Sequence, residues 1–196
     1  MPKKEVINDD RLMINNNSIF TISNSNKKKK DKIAAILEKY KPQLHEKVTL
    51  NAFSAGSIDL LNYLESIKND NELKQKVSKV KMEAPLIERR AKFVKPWWAK
   101  FGLWLTRPNS TLEIFKTQLQ RLNRLRIPTT IHLHGKDEMI ENSKVQEAID
   151  SIASKDEHAN VKVNFKKYSN GDTITTPLQY VKIMYSKNFN HQGFER

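Results

Sequence analysis

The chain has 196 residues, 38% of them hydrophobic, with five glycines, seven prolines and a formal net charge of +13. That length supports one domain with a buried core, and no run of residues approaches the roughly 18 apolar positions that a membrane-spanning helix needs. There is no cysteine, which excludes disulfides, thiolate catalysis and cysteine-based zinc sites and suits a cytoplasmic, reducing environment.

Residues 1 to 17 are polar and rich in asparagine, which predicts a flexible arm ahead of a single domain over 18–196. Met1 to Asp10 lacks the apolar core of a secretion signal. Ser18 to Ser23 reads as a short strand. Lys27 to Lys30 form a basic block in a loop, and Ile33, Ile36, Leu37 and Tyr40 then recur at helical spacing over 31–40. Lys47 to Phe53 reads as a strand and Ser57 to Ile67 as a helix. Asp70 to Val77 is a charged helix or loop, and Val80 to Glu83 is another strand. A long insert covers about 86–126, ending in a helix with Leu112, Phe115, Leu119 and Leu122 on one face. Arg121, Arg124 and Arg126 follow that face and suit the helix's own C-terminal dipole. Thr129 to His134 is a strand and Asn142 to Ala153 a helix. Val161 to Tyr168 alternates as a last strand, and 175–185 is expected to be helical. The strand–helix alternation predicts an α/β fold with a mostly parallel sheet flanked by helices.

Phe53-Ser54-Ala55-Gly56 joins a strand directly to a helix. A serine on such a turn projects its hydroxyl, and the helix N-terminus behind it offers N–H groups to a developing oxyanion. The turn is crowded, and the small residues Ala52 and Gly56 flank Ser54 in an A-x-S-x-G pattern. The alternative is an ordinary Ser-x-Gly turn. Further along, Ile127 to His134 leaves its strand through His134-Gly135, and Asp137 and Glu138 follow just beyond the strand's carboxyl end, where open α/β sheets bind ligands. Both carboxylates have a bland alternative as turn residues.

Together these segments resemble the α/β-hydrolase family, over roughly residues 18 to 170. Val80 to Pro85 also looks like that family's strand after the nucleophile helix, which often ends in Ala-Pro. The resemblance implies a reduced hydrolase-like core with a helical cap insert, and a triad in the order Ser, acid, His. It assigns Ser54 as nucleophile, Asp137 as acid and the Ala55 N–H as an oxyanion donor. Only one strand is readable before Lys47, so the family's opening hairpin and a further strand are expected to be missing. No Gly-rich loop supplies the second oxyanion donor, and residues Ser23 to Asn26 are the available substitute.

The histidine is the open position. After the expected last strand the chain reads Ser169-Asn170-Gly171-Asp172-Thr173, with no imidazole. His45 reads as a surface residue and His132 as packed or hydrogen-bonded within its strand. His134 reads as a partner of the glycine turn, and His158 lies at the wrong end of the sheet. His191, in Asn190-His191-Gln192-Gly193-Phe194, is the candidate base. The alternative is a broken triad and a binding module.

The insert holds all three tryptophans. From Pro96, helical spacing places Trp97, Phe101 and Trp104 on one side, with Trp98 beside them and Lys92, Lys95 and Lys100 around them. Such a segment suits a lid over an acyl chain or an anionic membrane surface. A core helix is the alternative. No cofactor, dinucleotide fingerprint, phosphate loop or paired-histidine metal spacing is read. The leading expectation is a serine esterase or lipase-like hydrolase of an ester or thioester. The second is an inactive module binding a protein or an anionic membrane. Nucleic acid ranks below both, because the lysines come with no recognition motif.

Overall fold

The computed structural model describes residues 6–7, 12–15, 18–22, 47–67, 69–88, 93–100, 112–153 and 165–194. Eight strands form one sheet: β1 (Val6–Ile7), β2 (Leu12–Asn15), β3 (Ser18–Ile22), β4 (Val48–Phe53), β5 (Val77–Glu83), β6 (Thr129–His134), β7 (Asp172–Thr175) and β8 (Val181–Ser186). Their order is β1-β2-β3-β4-β5-β6-β8-β7. The five central strands β3, β4, β5, β6 and β8 run parallel, and antiparallel pairs close both edges. Among the described residues the helices with both ends described are α1 (Gly56–Ser66), α2 (Asp70–Lys76), α3 (Leu112–Arg124) and α4 (Asn142–Ala153). The fold is the expected α/β class.

Alternation drives the strands. In β4, Val48, Leu50 and Ala52 are buried, and in β6 Thr129, Ile131 and Leu133 are. The helices cover the sheet with apolar stripes: Leu60, Leu61 and Leu64 from α1, and Phe115, Leu119 and Leu122 from α3. α3 packs on both α1 and α4. Among the described residues no helix is long and apolar enough to cross a membrane.

Three sequence expectations need correction. β1 and β2 lie inside the segment read as a flexible arm, and they pair with each other and with β3. The opening hairpin counted as missing is therefore present, while no further strand stands between β3 and β4 among the described residues; runs of two and four residues are too short to show alternation. The strand expected over 161–168 is replaced, within its described part, by a single 3-10 turn at Phe165–Lys167. The helix expected over 175–185 is instead the end of β7, a connection, and most of β8. Val181, Ile183 and Tyr185 are buried while Lys182 and Met184 are exposed, a period of two rather than 3.6. The helix expected over 31–40, the block Lys27 to Lys30 and the loop Ser23 to Asn26 lie outside the described residues.

Arg121 lies in the last turn of α3, as its position suggested, and has a second role. α1 has no basic residue in its last turn. Arg121 reaches across from α3 and donates to the carbonyls of Leu64 (2.9 Å) and Ile67 (3.1 Å) at that helix end. It also pairs with Asp70 at 2.5 Å, and Arg124 pairs with the same carboxylate. One guanidinium thus serves unfilled carbonyls and fixes α1 and α2 against α3. The Asp70 carboxyl is held below its usual range, first by its hydrogen bond from Arg121 and further by the charge of Arg124. A lowered folded-state pKa contributes stability that is complete above the unfolded value, about 3.9, and is lost as the pH falls through the folded one. Arg121→Ala should destabilise the protein by about 1.5–3 kcal/mol in urea unfolding at neutral pH. Asp70→Asn should lose less, and its deficit should shrink below about pH 3.9. Unchanged midpoints for Arg121→Ala would remove it from this role.

Candidate active site

Ser54 stands where β4 turns into α1, with φ at 50°. That left-handed conformation is uncommon for a serine and stores strain. Backbone bonds from both sides hold it. The Ser54 N–H donates to the Glu83 carbonyl at 2.9 Å, and the Ser54 carbonyl accepts from Ser57 (3.1 Å) and Leu86 (3.0 Å). Ala55 is the cap position of α1, so its N–H lies at the positive end of that helix.

Asp137 follows β6, two strands across the sheet and at the same end as Ser54. It is 1% exposed. Its Oδ1 accepts from the N–H groups of Met139 (2.7 Å) and Ile140 (2.8 Å), which fixes the carboxylate plane. The Lys95 ammonium holds the Asp137 carbonyl. His191 lies between the two. Its Nδ1 is 3.0 Å from each Asp137 oxygen, and its Nε2 is 3.0 Å from Ser54 Oγ. Phe53 packs against the ring at 5.2 Å. Glu138, the rival carboxylate, accepts the His191 backbone N–H at 3.3 Å, so the two acids divide the residue between ring and main chain.

The carboxylate only accepts, so His191 Nδ1 carries the hydrogen and Nε2 turns a lone pair toward the serine hydroxyl. The last strand lies later in the chain than 161–168, which brings His191 close behind it. β8 ends at Ser186, and His191 follows it within one short loop.

Three further side chains stand beside this group: His134, His132 and Glu83. His134 is fully buried. Its Nδ1 meets the Asn190 carbonyl at 2.7 Å, and its Nε2 meets Glu83 Oε1 at 3.2 Å. His132 Nε2 lies 2.6 Å from Ser186 Oγ. The Glu83 carboxyl is held below its usual range, chiefly by the hydrogen bond with His134, and burial pushes the opposite way. His132 is lowered by burial first and by His134 second. The strand reading anticipated a bonded His132; it made His134 a partner of the glycine turn, whereas the ring bonds to the Asn190 carbonyl and to Glu83. Glu83 gave no signal, because its meeting with them depends on β5–β6 register.

The tryptophans divide. Trp97 is 78% exposed and Trp98 58%, while Phe101 and Trp104 lie outside the described residues. The segment just before them is tied to the acid's loop: Lys95 N–H donates to the Met139 carbonyl at 2.9 Å and Glu141 N–H to the Phe93 carbonyl at 3.0 Å. The core alternative fails for Trp97 and Trp98.

No protein-family model and no curated protein matches the chain. Among solved structures it is similar to the crystal structure of a Paleococcus ferrophilus monoacylglycerol lipase, at 10% identity and a TM-score of 0.43. The match covers 83% of this chain and 66% of that one, just under two thirds of its length. At that distance the chemistry has to be read from the site's own geometry.

Gly135 sets the path between β6 and Asp137. A Cβ there would sit 2.3 Å from the Lys187 carbonyl oxygen and 2.6 Å from the Tyr185 hydroxyl. Gly135→Ala should cost about 1–3 kcal/mol in denaturant unfolding, because backbone on β8's exit loop has to shift. A neutral substitution would show that the loop yields freely.

Proposed function

We propose that this protein is a serine hydrolase acting on a carboxylic ester or thioester. The observation that carries the reading is the unbroken line from Asp137 through His191 to Ser54 Oγ, with both ends of the imidazole at 3.0 Å. Ser54 Oγ attacks the carbonyl carbon as its proton passes to His191 Nε2. The Ala55 N–H, at the N-terminus of α1, stabilises the tetrahedral oxyanion. Collapse expels the alcohol or thiol, which takes the proton from His191. Water then attacks the acyl-enzyme by the same route and releases the acid and Ser54. Asp137 keeps the imidazole in the tautomer and orientation that this requires. The strained φ of Ser54 supports the reading, since the turn projects the side chain while strand ends hold the backbone.

A fluorophosphonate probe should label the folded protein on Ser54, and Ser54→Ala should abolish labelling. Asp137→Asn should lower kcat on a p-nitrophenyl ester by roughly 10³–10⁴-fold while leaving the fold intact. Folded protein that neither reacts with the probe nor cleaves short esters would overturn the proposal and favour the binding module.

The exposed tryptophan pair supports a second reading, in which this face also meets an anionic membrane or a long acyl chain. Tryptophan prefers an interface and the nearby lysines attract phosphate. Vesicles containing anionic lipid should shift the tryptophan emission to the blue, and salt should weaken the effect. Trp97→Ala with Trp98→Ala should reduce that shift yet change stability by only about 0.5 kcal/mol per site, as surface substitutions do. No shift at low salt would remove the membrane from this reading.

A further inference from the structure

Glu83, His132 and His134 come together at the carboxyl ends of β5 and β6, where the triad makes no use of their side chains. Strand register produces the cluster. Glu83 pairs with His132 across the parallel ladder, and His134 is two residues further on the same face. One ligating atom from each of the three lies within 4.8 Å of the others.

Hydrogen-bond logic asks for a cation there. The Asn190 carbonyl can only accept, so His134 Nδ1 carries a hydrogen, and Nε2 is a lone pair unless the ring takes a second proton, which then makes the hydrogen bond to Glu83. That lone pair faces Glu83 Oε1, another acceptor, at 3.2 Å. His132 Nδ1 is 3.7 Å from the same oxygen. Two acceptors do not hold each other at hydrogen-bond distance without a proton or a metal ion between them. With metal–nitrogen and metal–oxygen bonds of about 2.0–2.2 Å, neighbouring ligands of a tetrahedral ion stand roughly 3.3–3.6 Å apart, close to the two separations from Glu83; the three ligand atoms lie within 4.8 Å of one another, and the two rings would draw together on binding. The contact from His134 Nδ1 to a backbone carbonyl is the outer bond that metal-bound histidines usually carry.

We propose that Glu83, His132 and His134 bind a divalent ion of the zinc type, with a fourth position open to water on the half-exposed Glu83 side. The two nitrogens and one carboxylate oxygen suit zinc or cobalt(II) better than calcium or magnesium, which prefer oxygen donors. The three side chains take no part in the proposed Ser54 chemistry, although the Glu83 carbonyl accepts the Ser54 N–H and His134 bonds to the loop that carries His191, and the test does not read hydrolysis.

The 196-residue chain, stripped with chelator, should bind one equivalent of zinc chloride in calorimetry and gain thermal stability. Cobalt chloride should give visible ligand-field absorption. Glu83→Gln and His132→Ala, checked for folding by circular dichroism, should each weaken zinc binding at least tenfold. His191→Ala should bind zinc like the parent, which separates this cluster from the Asp137–Glu138–His191 group. Three results would overturn the proposal: no zinc bound, binding unaffected in both cluster variants, or binding lost with His191→Ala instead. The first would leave a proton as the cation between His134 and Glu83.

Discussion

The molecule depends on how the parallel strands end. Where β4, β5 and β6 stop, each passes a backbone hydrogen bond to the next: Ser54 N–H to the Glu83 carbonyl, Ala84 N–H to the His132 carbonyl, Gly135 N–H to the Ser186 carbonyl. The ladder thus continues one residue beyond the regular sheet, at the edge where the chain must turn away. Ser54 and Ala84 both take positive φ to do so, at 50° and 42°. Such conformations cost on the order of 1–3 kcal/mol each and persist only where surrounding bonds over-determine them. These three bonds are that determination, and they align the serine, the acid's loop and the histidine's loop on one edge.

The same constraint explains what was legible in the chain. The positions of Ser54 and Asp137 rest on local patterns, a strand meeting a helix and a strand leaving through His-Gly, so a short window contains the signal. α4 was readable to its ends because its apolar spacing is regular. His191 was harder to place because its position follows from β8, and β7 and β8 pair antiparallel at an edge between connections that carry little periodicity. The segment 161–168 alternates more visibly than Asp172–Thr175, yet its described part forms only a 3-10 turn. Alternation is a statement about one face being buried, and tertiary pairing decides whether a sheet edge is there to receive it.

Contacts that depend on register were not legible at all. Glu83 and His132 are separated by 49 positions in the sequence, and nothing local links them; a one-residue slip between β5 and β6 would put them on opposite faces. Arg121 is similar. Its own helix explains its presence at a C-terminal turn, but its hydrogen bonds go to the end of α1. In both cases the residue type was informative about charge and uninformative about partner.

The division of labour between Asp137 and Glu138 shows how local geometry can choose between chemically similar groups. Asp137 has the shorter side chain, and its Oδ1 closes a turn onto the N–H groups of Met139 and Ile140. That fixes its rotamer before any histidine arrives, so both oxygens can meet His191 Nδ1 with little further entropy to lose. A glutamate at the same place would carry one more rotatable bond and would close no such turn. Glu138 instead accepts the main-chain N–H of His191 and helps fix where that loop begins. The imidazole is therefore aimed from its ring by one acid and from its backbone by the other. The loop between Phe189 and Phe194 adds its own closure, with Asn190 Oδ1 accepting from Gln192 and Phe194 N–H at 3.0 Å each. Held at so many points, the His191 ring is fixed at 3.0 Å from Ser54 Oγ, which is the preorganisation that the proposed proton transfer from Ser54 requires.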